Sequence, residues 1–358
     1  MKILVALLMF SIALSFSLAG QDYTIMFYNV ENLFDTENDP ARNDEEFLPD
    51  GARRWTVARY QRKLGAIARV VAAAGEWELP SVIGLCETEN EKVVRDLAYG
   101  TILSAGNYGI VHRDSPDPRG IDLALLYRRD RFTLSEAKSW LPGNTDSIKV
   151  MTRNLLYVKL RSGADTLHLL LCHLPSRRGG VLAAGDLRER MVKLAAMKVD
   201  SILNATRGKG AIMVMGDFNT APGEPLMSAL TVGTGLINLS AEPSDQGKGS
   251  YRYQGSWEMI DQMLVSGAMM EEVPVSDEII EKVPGYSETI HRQPDSAAVH
   301  GTADFCVRKG SFRVIEAPFL LSVDENYPGL KPFPTYGGYR YSGGYSDHLP
   351  VLVKIRHR

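Results

Sequence analysis

The sequence predicts an α/β protein with layered sheets, on two observations. Short apolar runs of strand length recur along the whole chain, and helical periodicity fills some of the gaps between them. The runs are Thr24–Asn29, Ser81–Glu87, Ile121–Tyr127, Leu155–Leu160, Leu167–His173, Ala211–Asp217, Met259–Val265 and Leu349–Ile355. Their residues suit burial on both faces of a sheet, and helices between them cover those faces.

Taken in order, the chain opens on an address. Lys2 precedes an apolar run, Ile3 to Leu18, broken only by serines, and small residues lead up to Gln21. This is a secretory signal pattern: residues 1–20 are expected to be removed and 21–358 exported to the periplasm or beyond. The run is shorter than the ~20 apolar residues of a membrane span, and no stable membrane anchor is expected. The acidic stretch Asp35 to Glu46 reads as a loop. Val57, Tyr60, Leu64, Ile67 and Val71 recur every three or four residues, with Gly75 as a stop, and predict a helix. Leu187, Met191, Leu194, Ala195 and Ile202 form a second stripe. Residues 267–335, rich in proline and charge, read as an elaborated insertion within the same domain.

Composition is that of an ordinary globular protein, with 44% apolar and 23% charged residues. A net charge of −3 argues against wholesale coating of nucleic acid and leaves room for a local basic groove. The 3 cysteines are no disulfide scaffold, and an odd count leaves at least one thiol unpaired in a monomer, the assumed state.

Polar residues collect where the strands end. Asn29, Glu87, His173 and Asp217 close apolar runs, with Asn219 two residues further on. Asp261 and Asp347 stand near the starts of two more. If those last two strands run antiparallel to the others, all six groups share one edge. Asn29, Glu87 and Asp347 are hard oxygen donors suited to Mg²⁺, Mn²⁺ or Ca²⁺ rather than zinc. Such a cation neutralises the oxygens of a phosphate ester. Asp217 suits proton abstraction from water, and His173 and His348 suit hydrogen bonding to phosphate. Each residue alone also fits a plainer role: a turn for Asp217, a satisfied core histidine for His173, a helix start for Glu87, a structural carboxylate for Asp261.

The order of the blocks carries more. FYNVENLFD at Phe27–Asp35, GLCETEN at Gly84–Asn90, a strand ending in His173, GDFNTAP at Gly216–Pro222, MIDQMLVS at Met259–Ser266 and YSDHLP at Tyr345–Pro350 follow one another. This resembles the endonuclease/exonuclease/phosphatase superfamily, its deoxyribonuclease-like metal-dependent phosphoesterases in particular. The resemblance implies a four-layer α/β/β/α sandwich of two mixed sheets with outer helices. It also implies Asn29, Glu87 and Asp347 as metal ligands, with Glu31 at a position that is sometimes a second acidic ligand. Asp217 corresponds to the residue that orients or deprotonates the attacking water, and Asn219 to its partner on the phosphate. His348 corresponds to the histidine on a non-bridging oxygen, Asp261 to the carboxylate orienting it, and His173 to a general acid. Cys86 replaces a common glutamine. Asp122 is the candidate for the acid that orients His173, with a buried structural aspartate as its alternative.

The resemblance implies metal-dependent phosphoester hydrolysis, with nucleic acid as the leading substrate class. A sphingomyelinase-like lipid or small-molecule phosphodiesterase or phosphatase is the alternative, and a non-catalytic binding domain a distant one. Basic clusters at Arg53–Lys63, Arg128–Arg131 and Arg177–Arg190 are candidates for backbone contacts, with ordinary solvated surface charge as the plainer reading. A nuclease needs such a groove, whereas a lipid-directed enzyme needs an exposed apolar hairpin beside the site.

Overall fold

The computed structural model describes residues 22–143, 150–176, 181–271 and 301–358. The expected signal segment and Arg177–Arg178 lie outside them. The strands are β1 (Asp22–Leu33), β2 (Val82–Thr88), β3 (Tyr108–Arg113), β4 (Asp122–Arg128), β5 (Thr133–Trp140), β6 (Leu155–Ser162), β7 (Asp165–His173), β8 (Ala211–Asp217), β9 (Ile237–Asn238), β10 (Tyr251–Tyr253), β11 (Ser256–Glu258) and β12 (Asp261–Val265). They continue with β13 (Phe305–Val307), β14 (Arg313–Val314), β15 (Leu321–Val323), β16 (Leu330–Pro332), β17 (Tyr336–Gly337), β18 (Arg340–Tyr341) and β19 (Val351–His357). The helices are α1 (Val57–Gly75), α2 (Glu91–Gly100), α3 (Val181–Ala205) and the short α4 (Ala241–Asp245).

Two mixed sheets form the centre. One has the order β13-β19-β1-β2-β4-β3, with β14 also on β19; the other has the order β5-β6-β7-β8-β12-β9. Successive side chains of a strand point to opposite faces, and β1 shows what each face meets. Ile25 and Phe27 enter a core shared with Leu169, Leu171, Met213 and Met215 of the second sheet. Met26, Tyr28 and Val30 enter the core that Leu64, Ile67 and Val71 of α1 and Val93 and Leu97 of α2 close from outside. On the far side, Leu170, Val214 and Leu264 meet Met191, Val192 and Ala195 of α3. Three cores thus bind four layers: helices, sheet, sheet, helix. This is the sandwich the resemblance implies.

Strand direction sets the functional edge. β1 and β2 run parallel, as do β7 and β8. β12 runs antiparallel to β8 with Asp261 opposite Asp217, and β19 antiparallel to β1 with Val351 opposite Phe27. The turn before β19 therefore lies beside the end of β1, and one edge gathers the residues that close four strands and open two. Close backbone approach helps: a Cβ on Gly216 would stand 2.1 Å from the Cys172 carbonyl oxygen.

β3 and β5 have no counterpart among the apolar runs. Both are edge strands. β5 (TLSEAKSW) is half-exposed along its length, so it carries no continuous apolar signal. Within 267–335, residues 272–300 lie outside the described part. β13 and β14 are integral to the first sheet through β19, and β15 and β16 form a hairpin of their own.

Candidate active site

Asn29, buried in β1 where its register with β2 breaks, donates from Nδ2 to Asp217 Oδ2 at 3.0 Å and lies 3.5 Å from His348 Nε2. Its Oδ1 accepts from the Glu31 amide at 2.9 Å. Asp217 Oδ1 accepts from the Asn219 amide at 2.9 Å, so both its oxygens are held. Burial, and then the charge of Asp261, raise the Asp217 carboxyl to about 7. Asn219 donates from Nδ2 to the Leu174 carbonyl at 3.0 Å, which ties the ends of β7 and β8 together.

His348 Nδ1 lies 2.7 Å from Asp261 Oδ2, and that oxygen also accepts from Ser250 Oγ at 2.6 Å. His348 Nε2 points to Asp217 Oδ2 at 3.9 Å and Asp347 Oδ1 at 4.0 Å. Burial opposes its protonation, but Asp261, Asp347 and Asp217 outweigh burial and hold its pKa well above 6.5. Ser346 Oγ donates to the Asn29 carbonyl at 2.7 Å and accepts from the His348 amide at 3.1 Å, which registers the SDH turn against β1. The Tyr251 ring covers His348 at 4.9 Å between centroids.

His173 Nε2 stands 3.7 Å from Asp217 Oδ2 and 3.9 Å from Glu87 Oε1. Burial first, then the nearby Arg119 charge, lower its pKa to about 3, so it is neutral at ordinary pH. Its Nδ1 is buried and has no hydrogen-bond partner among the described residues. The expectation that Asp122 orients it is corrected here. Asp122 Oδ1 accepts from the Ser115 amide at 2.9 Å, and its Oδ2 lies 3.5 Å from His112 Nε2. Asp122 opens β4, opposite Thr88 rather than in the second sheet, and its side chain is taken up by the 113–121 loop.

The oxygen donors crowd beside this cluster. Glu87 sits in a register break between β2 and β4, with φ +63°, and its Oε2 accepts from the Asn32 amide at 2.9 Å. Glu31, Asn32 and Asn219 also hold positive φ, at +50°, +55° and +48°. Such conformations cost of order 1–3 kcal/mol each and persist where the surroundings impose them, often at functional sites. The Asp347 side chain is 45% exposed and opens the site to solvent. Burial first, then the Asp347 charge, raise the Glu87 carboxyl. The same two causes, in the same order, take Glu31 to about 7. A hard divalent cation fits this donor set, since it would relieve the repulsion among oxygen ligands held at the edge.

Glu31 does not extend that donor set. Its Oε2 accepts from the Thr335 amide at 2.6 Å and its Oε1 from the Tyr336 amide at 3.2 Å, with Lys63 Nζ 4.0 Å away. Both oxygens clamp the 335–336 backbone, which corrects the expectation of Glu31 as a second acidic ligand.

Ser250, Tyr251 and Arg119 escaped the sequence reading, and Ser346 and Lys63 entered it only within the YSDHLP block and a basic cluster. Lys63 alone had a legible signal: it falls three residues after Tyr60 and four before Ile67, on the apolar stripe of α1. Arg128 and Arg131 pair with Glu78 and Asp130. They sit at the opposite edge of the sheet, since Tyr127 faces Val82 at the start of β2. The length of β2 puts them ~20 Å from Glu87. Arg53 lies over the Phe47, Tyr336 and Tyr339 rings, and Arg59 over Tyr341.

Two facing mixed sheets between helices, with a carboxylate–histidine cluster at one edge, define the phosphoesterase sandwich. A profile of the Endonuclease/Exonuclease/phosphatase family matches residues 24–284, and the chain belongs to that family. Its enzymes are hydrolytic phosphoesterases that depend on a divalent metal. Two potential ligand groups among the described residues meet at this edge, Cys86–His173–Asp217 and Asp217–Asp261–His348. A search of curated proteins finds no match.

Solved structures share the fold. A family protein of Bacteroides thetaiotaomicron superposes with a TM-score of 0.54 at 16% identity, over 94% of this chain and 98% of that one. The mannosyl-6-phosphatase of the same organism gives 0.53 at 16%, over 93% and 99%. TDP2 of D. rerio, complexed with single-strand DNA product, gives 0.51 at 14%, over 94% and 99%.

Proposed function

We propose that this protein hydrolyses a phosphoester by in-line attack of water, with a divalent cation held by Asn29, Glu87 and Asp347. The observation that carries this is the buried Asn29–Asp217–His348–Asp261 chain beside the crowded carboxylates. The bound cation supplies charge neutralisation at the phosphate oxygens. Asp217, with a carboxyl near 7, is poised to take a proton from water. Protonated His348, fixed by Asp261, presents Nε2 to a phosphate oxygen. Neutral His173, beside Asp217 and Glu87, is assigned a hydrogen bond to the phosphate in this reading. Asn219 keeps the loop after β8 in place.

A compact or amphiphilic phosphoester is favoured over a long duplex. Arg128 and Arg131 are paired away from the site, and Arg53 and Arg59 lie against aromatic rings. The β15–β16 hairpin also exposes Val323 (72%), Tyr327 and Leu330. It joins the β10–β11 hairpin through Arg252, which donates to the Pro328, Leu330 and Gly255 carbonyls, and β10 carries Tyr251 against His348. A second reading, single-stranded nucleic acid, draws on Tyr251 and half-exposed Tyr253 as stacking surfaces and on the TDP2 structure with single-strand DNA product. A panel of single- and double-stranded DNA, RNA, sphingomyelin, sugar phosphates and bis-p-nitrophenyl phosphate separates these readings.

Exhaustive chelation is expected to abolish activity, and Mg²⁺ or Mn²⁺ to restore it. Full turnover in the chelated enzyme would remove the metal from the mechanism. We further propose that the chain is exported. Mass spectrometry of protein from its native cell should then find a mature N-terminus near Gln21, and an intact Met1 on soluble cytoplasmic protein would contradict this.

A further inference from the structure

Lysine is almost never fully buried unless it is paired. Lys63 is buried to 1% side-chain exposure, inside α1 and behind the carboxylate edge. Its ammonium donates to Thr335 Oγ1 at 2.5 Å and to the Tyr345 carbonyl at 2.7 Å, both neutral. Its nearest carboxylate is Glu31 at 4.0 Å, and its charge acts on Asp347 and Glu87 as well. The other contacts of Glu31 are backbone amides. Beside the Asp217–His348–Asp261 chain, the edge therefore holds three further carboxylates, Glu31, Glu87 and Asp347, whose charges act on a lysine fixed by α1 and the 335–345 loop.

We propose that Lys63 is a fixed monocation built into the metal centre, offsetting the Glu31 charge so that the divalent ion is held by Glu87 and Asp347 and its affinity is kept moderate. This rests on the metal-dependent reading above. Lys63 is a positioning and charge-balancing residue, with no part in the chemistry itself. A purely structural lysine and a charge-balancing one differ in the sign of one measurement. Removing a structural lysine loosens the site and weakens metal binding. Removing a balancing cation leaves the site more negative and strengthens it.

The test is a double-mutant cycle on the full chain, read by calorimetric titration with Mn²⁺ and by melting temperature in chelator. Lys63→Met is expected to melt lower without metal and to bind Mn²⁺ about tenfold more tightly. Glu31→Gln is expected to bind Mn²⁺ about tenfold more weakly, since Lys63 is then uncompensated. The Lys63→Met/Glu31→Gln double variant, which buries no ion pair, should fold even where a single variant does not. Its affinity should return to within about threefold of wild type. Thr335→Val removes a hydrogen bond but no charge, and should lower the melting temperature without changing Mn²⁺ affinity. Weaker or unchanged binding in Lys63→Met overturns the proposal. So does a double variant that stays as weak as Glu31→Gln, which would make Glu31 a ligand. If wild type itself binds no Mn²⁺, the metal-dependent reading fails first, and that outcome is distinct from both.

Discussion

Asp217→Asn is expected to lower kcat by about 10²–10⁴-fold, the usual contribution of a positioned general base. The side chain keeps its shape, and an asparagine can still accept from the Asn219 amide. What it loses is the proton acceptor and the oxygen that faces Asn29 Nδ2. The stability change should be small, about 1 kcal/mol, the worth of one hydrogen bond. Mn²⁺ affinity should hardly move, since Asn29, Glu87 and Asp347 remain. A turn-forming aspartate would behave in the opposite way, because asparagine serves turns equally well. A variant that keeps more than a tenth of wild-type kcat takes Asp217 out of the mechanism.

Asp261→Asn should be nearly as damaging, by about 10²–10⁴-fold in kcat, through His348 rather than through the substrate. The carboxylate holds His348 Nδ1 at 2.7 Å and favours the imidazolium; loss of an aspartate in this role from a histidine pair typically leaves the geometry intact and the wrong tautomer in place. The pH dependence of stability supplies a second readout, best taken in chelator. The folded pKa of His348 is raised above 6.5: burial lowers it, but Asp261 and the other acids more than compensate. The stability linked to that proton is therefore complete below 6.5 and is lost as pH rises through the raised value. Wild type should exceed Asp261→Asn in melting temperature most clearly in mildly acidic buffer, and the gap should narrow as pH rises. A gap that does not change with pH would show that Asp261 is only a packing element.

Export and substrate stand apart from these two experiments. The signal pattern is carried by residues outside the described structure, and substrate depends on surfaces that the catalytic edge does not determine. The basic clusters show why. A run of arginines in a sequence carries no sign of whether an acid or a ring will meet it. Glu78 and Asp130 take Arg128 and Arg131, and Phe47, Tyr336 and Tyr339 take Arg53.

The sequence by itself determined the interior strands, the long helices and the polar residues at the strand ends. Each is local: Ala211–Asp217 is buried along its whole length and reads as an unbroken apolar run, and Val57–Gly75 shows its stripe and its stop. Only the tertiary structure decided the rest. Edge strands such as Thr133–Trp140 lack a second buried face, so their polar pattern hides them. Whether Asp261 and Asp347 reach the site depended on strand direction, which β8–β12 and β1–β19 pairing sets across long stretches of chain. Asp122 and Glu31 met partners that spacing cannot foretell, the 113–121 loop and the 335–336 backbone. Lys63, whose place on the apolar stripe is legible but whose partners are not, became a buried charge because α1 turns that position inward against the carboxylates.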